Sequence, residues 1–114
     1  MSADIKTLRM QLIELFALLE YKPKQIDERI IYALGDKREI GQMNVAEINK
    51  VMEVTMKYVT PLEYAGLLER LVRGAEKIEK LNSESGEFRS AIKLYNRLER
   101  LIRELRGMGS DVAS

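Results

Sequence analysis

The chain has 114 residues, no cysteine, histidine or tryptophan, and a net charge of only +1 although 32% of its residues are charged. Without thiols or imidazoles there are no disulfides, no cysteine nucleophiles, no histidine bases and almost no route to a zinc, haem or iron–sulfur site. A chain of this length builds one core without a covalent or metal staple.

Lys and Arg nearly balance Glu, with Asp at positions 4, 27, 36 and 111 alone, a balance that marks solvated helix faces laced with ion pairs. Together with few Asn and Gln it fits a thermophilic source, an expectation that a melting midpoint in the ordinary mesophilic range would remove. The apolar run Met10 to Leu19 contains Gln11 and Glu14 and is too short to span a bilayer, and no basic segment with a small-residue cleavage site precedes it. The chain therefore reads as cytoplasmic, with no membrane partner.

Ser2 to Tyr21 reads as the first helix, capped by Ser2 or Asp4, with Ile5, Leu8, Leu12, Leu15, Phe16 and Leu19 at three-to-four spacing. Ile13, Ala17 and Leu18 widen its apolar arc, which reads first as burial within the bundle and, as the alternative, as contact with a partner subunit. Pro23 breaks the chain, and a second helix runs to Asp36 with Ile26, Ile30, Ile31 and Leu34 inward and Gly35 suited to a left-handed ending. Asp36 to Met43, DKREIGQM, lacks a helical pattern and reads as a loop.

Asn44 and Glu47 have capping-box spacing and open a third helix that buries Ile48, Val51, Met52, Thr55 and Val59. Thr60-Pro61-Leu62-Glu63 joins a hydroxyl cap, proline at the first helical position and glutamate at the third, so a fourth helix starts there. It extends to Leu81 with Leu68, Leu71, Ala75 and Ile78 in a row. Gly66 and Gly74 each cost about 1 kcal/mol against alanine; they permit close helix packing, or Gly74 marks a break.

Residues 82–86 form a turn in which Ser85 caps a fifth helix reaching Arg106. Ala91, Leu94, Leu98, Leu101, Ile102 and Leu105 share one side of it, and Arg89, Lys93, Arg97, Arg100 and Arg103 the other. The expected fold is all-α, a compact bundle of about five helices over residues 1–106 with 107–114 as a flexible tail. The alternative is a winged helix-turn-helix, with Thr60 to Gly74 as recognition helix, Lys77 to Leu81 as a wing strand and Phe88, Ser90, Ile92 and Leu94 alternating along the returning strand. The unbroken apolar row of the fifth helix argues against the wing.

No Gly-rich phosphate loop, acidic metal motif or nucleophile with a base is present, so no catalytic, metal or cofactor-binding residue and no small-molecule substrate is expected. Arg70, Arg73, Lys77 and Lys80 form a basic stripe on the fourth helix, and Arg89, Lys93, Arg97 and Arg100 one on the fifth, long enough to follow several phosphates. Glu69 to Arg73, Glu76 to Lys80 and Glu99 to Arg103 have the spacing of pairs within a helix, which withdraws part of that charge. The candidate backbone contacts are Arg70, Arg73, Lys77, Arg89, Lys93, Arg97 and Arg100. The five tyrosines, at 21, 32, 58, 64 and 95, lie near apolar helical positions and read as half-buried rather than as stacking platforms.

Leu15 to Leu34, LFALLEYKPKQIDERIIYAL, resembles the opening of the small helical subunit of archaeal type I-A CRISPR surveillance complexes, a Cascade small-subunit family. Ile26, Asp27, Arg29, Ala33 and Leu34 carry the likeness, and Glu28 stands as an insertion relative to the pattern. The resemblance implies a non-enzymatic helical protein that packs against other effector subunits and copies of itself. It also implies contact with the backbone of CRISPR RNA or of a target or displaced DNA strand, while base pairing reads sequence. The alternatives are a winged-helix DNA-binding transcription regulator that dimerises through the first and fifth helices, and a helical scaffold or homo-oligomeric interaction protein with no nucleic-acid role.

Overall fold

The computed structural model describes residues 4–108, and every regular element among them is helical. They are α1 (Ile5–Leu18), α2 (Pro23–Leu34), a single 3-10 turn (Ile40–Gln42), α3 (Val45–Lys57), α4 (Pro61–Lys80) and α5 (Gly86–Gly107). The all-α class and its five helices agree with the sequence pattern. The wing does not form: Lys77 to Lys80 are the last turn of α4, and Phe88 to Leu94 are helical within α5. The chain divides into two compact helical units, Met1–Tyr58 and Val59–Ser114.

The first unit is organised on α3, which contacts both α1 and α2. Asp4 caps α1 by accepting from the Lys6 amide, while Ser2, the other expected cap, lies outside the described residues. The helix ends at Leu18 rather than at Tyr21. Glu20 takes a positive φ of 59°, which turns the chain before Pro23, and the Tyr21 amide then closes onto the Phe16 carbonyl at 3.0 Å. Gly35 ends α2 in the left-handed region at φ 88°, which glycine reaches without steric penalty.

The core of this unit joins Leu8, Leu12 and Phe16 of α1, Ile30 of α2, and Ile48 and Val51 of α3. Its seventh member is Met43, which is 0% exposed although it sits at the end of the stretch read as a loop. The 3-10 turn explains the difference. The turn brings Ile40 onto the same cluster, the Met43 amide bonds the Ile40 carbonyl at 3.1 Å, and Arg9 Nη2 donates to the Met43 carbonyl at 3.2 Å. A loop whose two apolar residues dock in the core reads as polar in sequence because the docking partner is distant in the chain.

Several positions expected inside are outside. Ile13 is 54% and Ile31 45% exposed, and Ala17 is exposed as well, so the wide arcs of α1 and α2 are only partly covered. Within α3, Ile48, Val51 and Thr55 are buried as expected, Val54 joins them, and Met52 is half-buried. Val59 is buried too, but beyond the helix end at Lys57. Thr55 satisfies its hydroxyl by donating to the Val51 carbonyl at 2.7 Å, the usual solution for a buried helical threonine.

The second unit is an antiparallel pair of long helices, α4 and α5, in extensive contact and joined by residues 81–85. Both starts are capped as the sequence dictates. Thr60 Oγ1 accepts from the Glu63 amide at 3.1 Å while the Glu63 carboxylate accepts from the Thr60 amide at 3.0 Å, and Ser85 Oγ accepts from the Phe88 amide at 3.1 Å. Asn82 fixes the turn between them, its side chain accepting from the Glu84 amide and its carbonyl from the Ser85 hydroxyl and amide. The α4 helix passes through Gly74 without a break. Gly107, expected in the tail, is the last residue of α5, and residues 109–114 lie outside those described.

Candidate nucleic-acid interface

The buried face of α5 consists of Leu98, Leu101, Ile102 and Leu105. Ala91 is half-buried and Leu94 is 49% exposed, so the apolar row continues along the helix while its cover does not. On α4 the residues with least exposure are Tyr64 and Leu67, and the expected row of Leu68, Leu71, Ala75 and Ile78 is half-buried.

A Cβ built on Gly74 would stand 3.7 Å from Tyr95 Cδ2, and Arg106 Nε donates to the Tyr64 hydroxyl at 2.6 Å. These two contacts fix which side of each helix faces the other. At about 100° per residue, Lys93, Arg97 and Arg100 stand roughly 140–160° round α5 from Tyr95, on its back. Arg89 stands about 120° away. On α4, Arg70 and Lys77 stand only about 40–60° from Gly74, and Arg73 about 100°. The seven candidate cations therefore divide into a row on the back of α5 and a row flanking the seam on α4, and they do not form one continuous strip.

Their partners divide them further. Arg73 pairs with Glu69 and Arg103 with Glu99, as the spacing predicted, whereas Glu76 and Lys80 form no ion pair among the described residues. Arg70 is half-buried, and Arg70 and Arg97 both have interactions within the chain. Lys77, Arg89, Lys93 and Arg100 are exposed and make no ion pair among the described residues. Between Phe88 and Leu98 α5 carries three cations and no carboxylate. From Arg89 to Arg100 the row extends about 16 Å at 1.5 Å per residue, a span of two or three phosphates along an extended strand.

No group of three potential metal ligands and no helix long and apolar enough to cross a membrane occurs among the described residues. The first unit carries a second set of polar aromatic groups, at tyrosine positions that read as half-buried in the sequence. Tyr64 is buried and Tyr21 and Tyr95 are half-buried, but Tyr32 is 64% and Tyr58 40% exposed. The signal for Tyr32 was available in the helical wheel, where it stands roughly 150° from the face that carries Ile26, Ile30 and Leu34. Compared with protein-family models, with curated proteins and with solved structures, the chain matches none.

Proposed function

We propose that the protein is a non-catalytic helical small subunit of an RNA-guided CRISPR effector complex, one that lays the backbone of a target or displaced strand along α5. The observation that carries the nucleic-acid part is the exposed row Arg89, Lys93 and Arg100, which makes no ion pair among the described residues, on the side of α5 turned away from α4. Three cations at this spacing neutralise phosphates without reading bases. The resemblance of Leu15 to Leu34 supports the CRISPR assignment. Apolar side chains left open on both units, Met10 at 70%, Ile13 at 54%, Leu62 at 84% and Val72 at 57% exposure, suit packing against other subunits and copies of itself.

The test is single-stranded DNA binding by the free chain and by the assembled complex, for wild type and for the double variant Arg89→Glu, Lys93→Glu. The expected outcome is weakened binding with helical content retained. A double variant that binds and assembles like wild type removes the proposal. Assembly that also persists through nuclease and high salt moves the protein to the class of scaffolds without a nucleic-acid role.

A further inference from the structure

The exposed tyrosines of the first unit form a cluster with two cations. Tyr32 of α2 and Tyr58, the residue that caps α3, meet edge to face with ring centroids 5.3 Å apart, and the Tyr32 hydroxyl donates to that of Tyr58 at 3.3 Å. Lys57 Nζ stands 5.8 Å from the centre of the Tyr58 ring. Arg29 Nη2 donates to the Tyr58 carbonyl at 3.3 Å and to the Tyr21 hydroxyl at 3.4 Å, which ties the guanidinium to the end of α3 and to the connection between α1 and α2.

Two features set this cluster apart from ordinary half-buried tyrosines. First, the rings are on the outside: an edge-to-face pair covers one ring's face with the other's edge, and at 64% exposure Tyr32 keeps aromatic surface open to solvent. Second, two cations stand beside the rings, Lys57 at Tyr58 and Arg29 between Tyr58 and Tyr21. The hydrogen bond with Tyr58 holds the Tyr32 phenol above the ordinary tyrosine range, the nearness of Tyr58 adds to that, and the charges acting in the other direction are those of Lys57 and Arg29. Lys57 has no ion pair among the described residues.

The cations beside this open aromatic surface disfavour ammonium ligands such as methylated lysine, which ring faces alone would attract. It suits a flat ring that carries an anion beside it. A nucleobase with its phosphate has that form, and a single strand presents it repeatedly with the base free to unstack.

We propose that Tyr32 and Tyr58, with Lys57 and Arg29 beside them, hold a nucleobase and its adjoining phosphate from a single-stranded nucleic acid. This site shares with the α5 reading only the class of ligand. It lies on the other unit and contacts bases, whereas α5 contacts backbone.

The experiment is a titration of the full chain, followed by fluorescence anisotropy, with a labelled thymidine oligonucleotide and with an abasic oligonucleotide of equal length and charge. Thymidine monophosphate serves as competitor. Stacking predicts that the thymidine strand binds more tightly than the abasic one, and that Tyr32→Ala removes the difference, a loss of about fivefold to hundredfold for one stacking aromatic. Tyr32→Phe retains the preference, since it keeps the ring, and Lys57→Gln weakens both strands. Equal affinity of wild type for the two strands overturns the proposal, as does a folded Tyr32→Ala chain that keeps the preference. Displacement by the monophosphate at concentrations comparable to the strand overturns the choice of a strand over a free nucleotide. Loss of abasic-strand binding in the α5 variant bears on the α5 reading alone, so the two failures are distinct.

Discussion

Gly66 and Gly74 sit in the interior of α4, where each exposes backbone and lowers helix stability relative to alanine. A Cβ at Gly66 meets nothing within 4 Å, and one at Gly74 makes an ordinary contact at 3.7 Å with Tyr95. Neither glycine is required for helix approach. Gly66→Ala is expected to stabilise the protein by about 0.5–1 kcal/mol and Gly74→Ala by a similar or slightly smaller amount. Gly35→Ala, forced into the left-handed region at φ 88°, is expected to destabilise by about 1 kcal/mol or more. Urea unfolding midpoints at constant m-value check all three. The contrast shows what a sequence carries at this scale: Gly35 was legible because a helix C-terminus needs its φ locally, whereas the role of Gly74 depends on Tyr95, which is distant in the chain.

Helix starts are local events, and the sequence marks them. Asn44 and Glu47 form a reciprocal capping box at 2.9 Å in each direction, and Thr60 with Glu63 repeats it at α4. Replacing Thr60 by alanine is expected to cost about 1 kcal/mol, measured by chemical denaturation. What periodicity conceals is the extent of cover. Ala91, Leu94, Leu98, Leu101 and Leu105 share one side of α5 and look equivalent in sequence, yet Leu98 is 1% and Leu94 49% exposed. Leu98→Ala is therefore expected to destabilise by about 2–5 kcal/mol, and Leu94→Ala by less than about 1 kcal/mol. Similar losses at the two positions would show that the row is covered along its whole length. The Ile40 to Met43 segment looks like a loop in sequence for the same reason, since nothing local marks Met43 as a core residue: its neighbours Gln42 and Asn44 are polar and its partners belong to α1, α2 and α3.

For the molecule as a whole, charge is distributed more unevenly than the net value of +1 suggests. From Gly86 to Gly107 six Arg or Lys residues face three Glu, so α5 alone is net +3 and the remainder of the chain net −2. With a Debye length of about 8 Å at physiological ionic strength, a strand responds to the surface it touches rather than to that sum. The sequence gathered seven cations into one candidate site because spacing along a helix says nothing about which way the neighbouring helix faces; the Gly74–Tyr95 contact separates them. A strand that follows the back of α5 meets Arg89, Lys93 and Arg100 and bypasses Lys77. The slope of log K against log salt for an abasic single strand is then expected near −2, from about 0.7 per phosphate contact. Arg89→Glu with Lys93→Glu should flatten it to shallower than about −1, and Lys77→Glu should leave it unchanged. A slope steeper than about −4, reduced equally by Lys77→Glu, would mean that the strand engages both helices and that the division into two rows does not govern binding.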